Sequence, residues 1–392
     1  MAMKKYLIIG NGVAGTTAAD TIRQRDATGS ITMVTDEQYP FYSRIRLHEY
    51  MAGGIEEKKL IIFKDQWYQD RAIELKLNTR LLGGDARTKI VQTKNNETLP
   101  YDSLLIATGS HSFVPPIAGA DKQGVFTLRS LQDARNIIEY SRQAKRAVLI
   151  GGGLLGLESS NALRKRGLKP TVVEFFPRLL PRQLDDEGAK RLQTIMEEMG
   201  FSFYLGAKTK EIVGNGAVRG VMLEGDEIID ADLVIISAGV RPNLELSQSF
   251  GLEADKGIKV DEYLRTNQPD IYAAGDVVEF KGFLYGIWPA AQEQGKIAGA
   301  NMAGANESYP GTTMANILKV VEVDLASAGE IDVENKFESK VVRAENIYQK
   351  IVTKDGKIIG CIMLGDISKF NRITKLMAEK QDVSNMLDSI LT

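Results

Sequence analysis

Residues 5–15 read KYLIIGNGVAG, and residues 147–156 read AVLIGGGLLG. Each is a short apolar run that breaks into three glycines spaced G-x-G-x-x-G. They are Gly10, Gly12 and Gly15 in the first stretch, and Gly151, Gly153 and Gly156 in the second. A helix-like stretch follows each, TTAADTIRQRD after the first and a segment through Leu163 after the second. Each copy then reaches another apolar run that ends at an acid. ITMV at 31–34 precedes Asp36 and Glu37, and TVV at 171–173 precedes Glu174. The glycines have separate duties. The first makes the tight turn, the second lets a pyrophosphate approach the backbone, and the third lets helix and strand pack closely. The helix N-terminus offers free N–H groups and a partial positive charge to the phosphates. The acid accepts from ribose hydroxyls. A lone glycine pattern is weak evidence. Strand, turn, helix, strand and acid in order, twice, about 140 residues apart, predict two dinucleotide-binding domains.

Both copies close with a similar strand, LLIATGS at 104–110 and LVIISAG at 233–239. A third strand of this kind, DIYAAGDV at 270–277, has no counterpart in the second half and is expected to return the chain to the first domain. The predicted fold class is α/β: two Rossmann-like dinucleotide-binding domains, the second inserted in the first, plus a small α+β C-terminal domain. The expected domains are residues 1–112 with 246–311, then 113–245, then 312–392. In the last, strands are expected at 316–322, 342–352 and 358–364, followed by a final helix over about 369–379.

Composition narrows the function. The chain has 392 residues, 43% hydrophobic and 26% charged, with a formal net charge of −2. No basic excess points to nucleic acid. No apolar run reaches the length of a membrane span, so a cytoplasmic protein is expected. The opening MAMKKYLIIG is read as a first strand and not a secretion signal, because its apolar run stops at Gly10. One cysteine, Cys361, excludes an internal disulfide and a cysteine-held metal cluster in this chain, and two histidines leave little for a metal site. No metal is expected. Two dinucleotide sites in one chain predict transfer between two cofactors, and a nicotinamide pairs naturally with a flavin. Gly275 and Asp276 would then approach the flavin nucleotide and its ribityl chain. Glu174 favours NADH over NADPH, because a carboxylate there accepts ribose hydroxyls and repels a 2′-phosphate.

In order, GNGVAG, ATG at 107–109, GGGLLGLE at 151–158, SAGVRPN at 237–243 and YAAGDV at 272–277 resemble the pyridine nucleotide–disulfide oxidoreductase superfamily over the whole chain. PFYSRIRLHEY at 40–50 resembles the NADH:rubredoxin oxidoreductases. VVEFFPRLLPRQLD at 172–185 and CIMLGDISKF at 361–370 resemble the flavin half of the large NADH-dependent nitrite reductase. The resemblance implies FAD and NADH as cofactors. It implies that hydride passes from NADH to the flavin, and that electrons pass to a small rubredoxin-like redox protein or a nitrite reductase component. The chain ends before any cysteine-rich region, so the acceptor is expected on another polypeptide. An NADH oxidase acting on oxygen or a small molecule, and a non-catalytic NAD(H)-sensing flavoprotein, stand as alternatives. A homodimer is left open.

The same resemblance assigns roles to single residues. FAD is expected at Gly10, Gly12, Val13, Ala14, Gly15, Asp36, Glu37, Leu81, Ala107, Thr108, Gly109, Gly275 and Asp276, with Arg44 and Arg129 neutralising its pyrophosphate. NADH is expected at Gly151, Gly153, Leu155, Gly156, Glu174, Ala238 and Gly239. Glu158 is expected to point toward the junction of flavin and nicotinamide, and Lys319 to lie near the flavin pyrimidine. There are departures too. Where dithiol members place Cys-x4-Cys, this chain has none, and Ser43 or a neighbour stands where others carry a single redox cysteine. Relatives feeding oxygenases carry a lysine two residues after an apolar leucine. Here Leu47 is followed by His48 and Glu49, so a lysine partner for Glu158 is not assumed. His48 and His111 are expected to be structural or exposed, and Cys361 to be a packing residue. Trp288 is open between a flavin neighbour and a core aromatic.

Overall fold

Both glycine stretches fold as strand, turn and helix. The first gives a strand at Lys5–Ile9 and a helix at Val13–Arg25, and the second a strand at Arg146–Ile150 and a helix at Leu154–Lys165. The computed structural model describes residues 3–312 and 315–391, the side chains of 315–320 and Asp388 excepted. The chain divides into two units. One comprises residues 1–44, 56–111 and 240–312, and the other 45–55, 112–239 and 313–392.

In the first unit a five-stranded parallel sheet has Lys5–Ile9 at its centre. Ser30–Val34 and then Ile73–Lys76 lie on one side, and Ser103–Ile106 and then Ile271–Ala273 on the other. The DIYAAGDV strand thus adds to the first sheet, as its lack of a counterpart predicted. A parallel strand is covered on both faces, so its residues are apolar without alternation. Tyr6, Leu7, Ile8 and Ile9 are all buried accordingly. The helix Trp288–Met302 packs on Val13–Arg25 with Gly295 and Gly299 against the backbone of Ala14 and Ala18. A methyl at Gly295 would lie 2.4 Å from the Ala14 carbonyl oxygen, so only glycine allows that approach.

The second unit repeats the design. Arg146–Ile150 is again central, flanked by Lys169–Glu174 and Ser202–Leu205 on one side and by Leu233–Ile236 and Val125–Phe126 on the other. Its C-terminal part is a five-stranded antiparallel sheet in the order Ala315–Val320, Val323–Gly329, Lys357–Leu364, Ile347–Lys354, Glu338–Ala344. The helix Phe370–Ala378 lays Phe370, Ile373 and Leu376 on it, over Ile351, Cys361 and Met363.

Three expected strands here are in fact five. The stretch 316–322 does not run through, because Val321 and Glu322 take φ of 51° and 71° and form a two-residue turn. Such turns favour Gly or Asn, so a Val-Glu pair gives no sequence signal. The stretch 342–352 is divided at Glu345 and Asn346, across which Ala344 pairs with Ile347. The helix over about 369–379 is present but not final, since a short helix follows at Leu387–Leu391. Among the described residues no helix is long and apolar enough to cross a membrane.

A buried polar network fixes the C-terminal sheet within its unit. Asp185 caps the helix Asp186–Glu198 by accepting from the Gly188 N–H at 3.0 Å. It also accepts from the Tyr348 hydroxyl at 2.6 Å and from Lys350 Nζ at 3.1 Å. Lys350 donates as well to the Asp332 carbonyl at 3.0 Å.

Candidate nucleotide-binding sites

The two glycine turns have the same internal geometry. Gly10 and Gly151 sit at φ of 114° and 119°. A methyl on either would fall 2.1 or 2.2 Å from a carbonyl oxygen of the neighbouring strand's end, that of Ala107 or Ser237. A methyl on Gly15 or Gly156 would fall 2.0 or 2.1 Å from the carbonyl oxygen of Gly10 or Gly151. The middle glycines differ. A methyl on Gly12 or Gly153 meets no atom of the chain within 4 Å. The first and third glycines are therefore required by the protein's own packing. The second is not, and its open space is what a pyrophosphate approaching the backbone needs.

Helix ends agree with this. Gly12 and Gly153 are the N-caps of their helices, with no side-chain cap and no acid in the first turn. By contrast, Ser130 and Asp133 form a capping box on Leu131–Ser141. Free N–H groups at a glycine turn suit a phosphate. The residues fit the nucleotides expected of them.

Within the first unit, several expected FAD residues converge. Arg44 and Glu37 form an ion pair at 2.6 Å, and the Arg44 guanidinium lies 5.1 Å from the centre of the Tyr42 ring. Burial opposes the charge of Arg44, but Tyr42, Glu37 and Asp276 outweigh it and hold its pKa above the usual value. Asp276 accepts from the Ser110 hydroxyl at 2.9 Å. A methyl on Gly275 would meet Ala14 Cβ at 3.1 Å, so the YAAGDV turn lies against the first glycine turn. Asp36 is exposed beyond the end of its strand, and Val13 is half-buried at the helix start. Leu81 is half-buried on the strand Leu81–Asp85. Ala107, Thr108 and Gly109 directly follow the strand Ser103–Ile106. Asn243, from SAGVRPN, donates to the Thr108 carbonyl at 2.7 Å and shares a 2.7 Å hydrogen bond with His111. Asn243 was not among the expected site residues, although the quoted motif contains it.

In the second unit, Glu174 is buried and accepts from the N–H groups of Gly152 and Phe176. Its carboxylate is thereby held against the second glycine turn. Leu155 is half-buried near the start of the glycine helix, and Ala238 and Gly239 follow the strand Leu233–Ile236, with Gly239 at φ 95°. Arg129 precedes the Ser130-capped helix, and its backbone N–H donates to Asp133. Lys319 is on the strand Ala315–Val320, but its side chain lies outside the described residues.

Glu158 has a partner that the sequence did not reveal. His48 Nδ1 lies 3.1 Å from Glu158 Oε2, with side chains 23% and 14% exposed. Burial, with a further push from Glu49, moves the Glu158 pKa up to about 8. Burial moves that of His48 down. His48 is therefore partly buried beside Glu158. Cys361 is fully buried, and burial pushes its thiol up to about 12, which leaves it inert as a nucleophile. Trp288 opens the helix Trp288–Met302, its ring 5.8 Å from Phe41. Among the described residues no cluster of His, Cys, Asp and Glu is arranged to hold a metal.

Comparison with known proteins agrees with this geometry. A family model described as pyridine nucleotide-disulphide oxidoreductase matches residues 4–295, and one described as rubredoxin NAD+ reductase C-terminal domain matches residues 315–381. A nitrite reductase [NAD(P)H] of Bacillus subtilis is 36% identical over 98% of this chain and 48% of its own length. An NADH-rubredoxin oxidoreductase of Clostridium acetobutylicum is 32% identical over 100% of this chain and 99% of its own. The crystal structure of NADH:rubredoxin oxidoreductase from Clostridium acetobutylicum superimposes with a TM-score of 0.84 at 30% identity, covering 99% of each chain. The structure of a NAD-dependent persulfide reductase from A. fulgidus gives 0.90 at 29% identity, over 97% of this chain and 78% of its own. The chain spans about half the length of two of these relatives, 48% of the Bacillus subtilis nitrite reductase and 50% of an assimilatory nitrate reductase electron transfer subunit of the same organism, which is 31% identical. With a family model covering most of its length and both glycine turns built alike, the chain belongs to the pyridine nucleotide-disulphide oxidoreductase family.

Proposed function

We propose that the chain is an FAD-dependent NAD(P)H oxidoreductase that takes a hydride from NADH and passes electrons to a separate redox protein. A rubredoxin-like carrier or a nitrite reductase component is the acceptor. The observation that carries this reading is the duplicated cradle, with open space at Gly12 and Gly153 in front of two uncapped helices. Residues 1–112 and 246–311 hold FAD, 113–245 hold NADH, and 312–392 offer the acceptor surface. When bound, NADH supplies a hydride and FAD links that two-electron donor to one-electron acceptors.

The chain's own residues bind and orient. N–H groups after Gly12 meet the FAD pyrophosphate, and Arg44, steadied by Glu37, balances its charge. Asp276, held by Ser110, accepts from a polyol hydroxyl. N–H groups after Gly153 meet the NADH pyrophosphate. Glu174, fixed by two backbone N–H groups, takes ribose hydroxyls and disfavours a 2′-phosphate. Lys319 is assigned to the flavin pyrimidine on the family resemblance. No thiol relay operates, because Cys361 is buried and protonated. The reading places the protein in the cytoplasm, where free thiols stay reduced.

The test is spectroscopic. The purified protein is yellow or takes up added FAD, and NADH bleaches it under argon more efficiently than NADPH. Colour returns on adding oxidised rubredoxin or a dye. A folded protein that does not take up FAD overturns the reading. Rapid recolouring in air alone favours a direct oxidase, in line with a 32% identical relative described as NADH oxidase from Methanocaldococcus jannaschii.

A further inference from the structure

The contact between His48 and Glu158 is not an ordinary ion pair. His48 sits on the short helix Leu47–Met51, and Glu158 is the fifth residue of the glycine helix Leu154–Lys165. Burial acts on both in the same sense, disfavouring charge on each. At neutral pH the proton therefore rests on Glu158, 3.1 Å from Nδ1 of a neutral imidazole whose ring also hydrogen-bonds the Ile45 backbone. With that proton the pair has no net charge, and without it the charge is −1. The surrounding charges are partly neutralised. Glu49 is bound by Arg46 at 2.8 Å, and Lys165 by Glu322 at 2.7 Å. Arg166 donates to the Met51 carbonyl at the other end of the His48 helix.

The pair's position gives this proton a use. Glu158 lies five residues along the helix from Gly153, on the order of 7 Å from the turn where a pyrophosphate would rest. The nicotinamide riboside half of a dinucleotide extends that far from its phosphate. Resting on the reading of residues 113–245 as the NAD(H)-binding domain, we propose that His48 and Glu158 hold one shared proton that reports the redox state of the bound nucleotide. Oxidised nicotinamide is a cation and favours the −1 state, so NAD+ binding expels the proton. Reduced nicotinamide is neutral, so the pair keeps it. Rising pH then strengthens NAD+ binding and leaves the neutral form unaffected, which makes product release pH-dependent.

Calorimetry of the flavin-loaded protein tests this with two probes that do not react, NAD+ and ADP-ribose. The latter has the same phosphates and riboses but no cationic ring. Titrations in two buffers of different ionisation enthalpy count the protons released. Near neutral pH, NAD+ is expected to release up to about one proton and ADP-ribose none. The Kd for NAD+ is expected to fall several-fold between about pH 6.5 and about pH 9, with that for ADP-ribose flat. Glu158→Gln abolishes the proton release and flattens the NAD+ profile while ADP-ribose still binds. If that variant does not fold, His48→Gln serves, and the midpoint of its NAD+ profile must move. Equal proton release with both probes, a pH-independent Kd for NAD+, or an unaltered profile in the foldable variant overturns the proposal. Failure of wild type to bind ADP-ribose overturns the nucleotide-site reading itself.

Discussion

A carboxyl group that keeps its proton up to about pH 8 ties folding to pH. Glu158 is raised above its unfolded value of 4.5, so its contribution to stability is complete below that value. The contribution is lost progressively as pH rises, and is gone once pH exceeds about 8. Glu158→Gln removes the titration. Its stability is expected to match or trail wild type at about pH 5 and to exceed it at about pH 9, by on the order of a few kcal/mol at most, with Tm moving in the same sense. Parallel Tm–pH curves for the two proteins would show that Glu158 titrates normally. At this scale the sequence was legible where chemistry is local. Cys361 lies in IIGCIML, and a run so apolar leaves a thiol no exposed place. His48 was not legible, because its partner comes from a helix distant in the chain and no local pattern encodes that meeting. Glu174 is intermediate. Its position after TVV predicted a ribose acid, but its two backbone donors come from the folded turn.

Between strand and helix, the glycine turns separate folding from binding. Gly10→Ala puts a methyl 2.1 Å from the Ala107 carbonyl oxygen at a φ of 114°, a conformation that alanine resists. The expected loss is about 2–4 kcal/mol of stability, or no folded protein. Gly12→Ala meets nothing in the chain. Its flavin-free stability should change by about 1 kcal/mol or less, while FAD affinity falls at least tenfold as the methyl occupies the pyrophosphate's approach. Gly153→Ala should do the same to NADH affinity and spare FAD. Differential scanning fluorimetry and equilibrium dialysis separate the two effects. If Gly12→Ala binds FAD like wild type, the open space is not the phosphate site. These turns were readable because steric rules for glycine act within a few residues. The C-terminal sheet was less so. The left-handed Val321–Glu322 turn lacks a glycine, and Val323–Gly329 is built of small residues with little alternation. Its sheet partners, not its own sequence, make it a strand.

Across the whole molecule, long-range partners decide what pattern alone cannot. The repeat about 140 residues apart predicted two nucleotide domains, and both parallel sheets follow from it. That residues 45–55 associate with the second unit, carrying His48 to Glu158, depends on tertiary packing alone. So does the Asp185–Lys350 pair, whose side chains are 10% and 2% exposed. Lys350→Met leaves a buried carboxylate without its cation, and about 3–5 kcal/mol should be lost. Asp185→Asn combined with it should recover part of that loss, and a double variant no better than the single would assign the cost to packing. On Phe370–Ala378, Phe370, Ile373 and Leu376 are buried, while Arg372 and Lys375 are exposed, with Lys380 just beyond the helix. Lys369 is half-buried at the helix start. Lys375 is held only loosely, 3.9 Å from Glu379, so its charge reaches solvent. Exposed charges of one sign steer an acidic carrier by long-range attraction, and salt screens that attraction within about 10 Å at 0.1 M ionic strength. Turnover with such a carrier should slow as salt rises. Arg372→Glu with Lys375→Glu should raise the apparent KM for the carrier several-fold and flatten the salt dependence, with NADH-to-dye turnover unchanged. A double variant whose carrier KM and salt response match wild type would remove this helix from the docking surface.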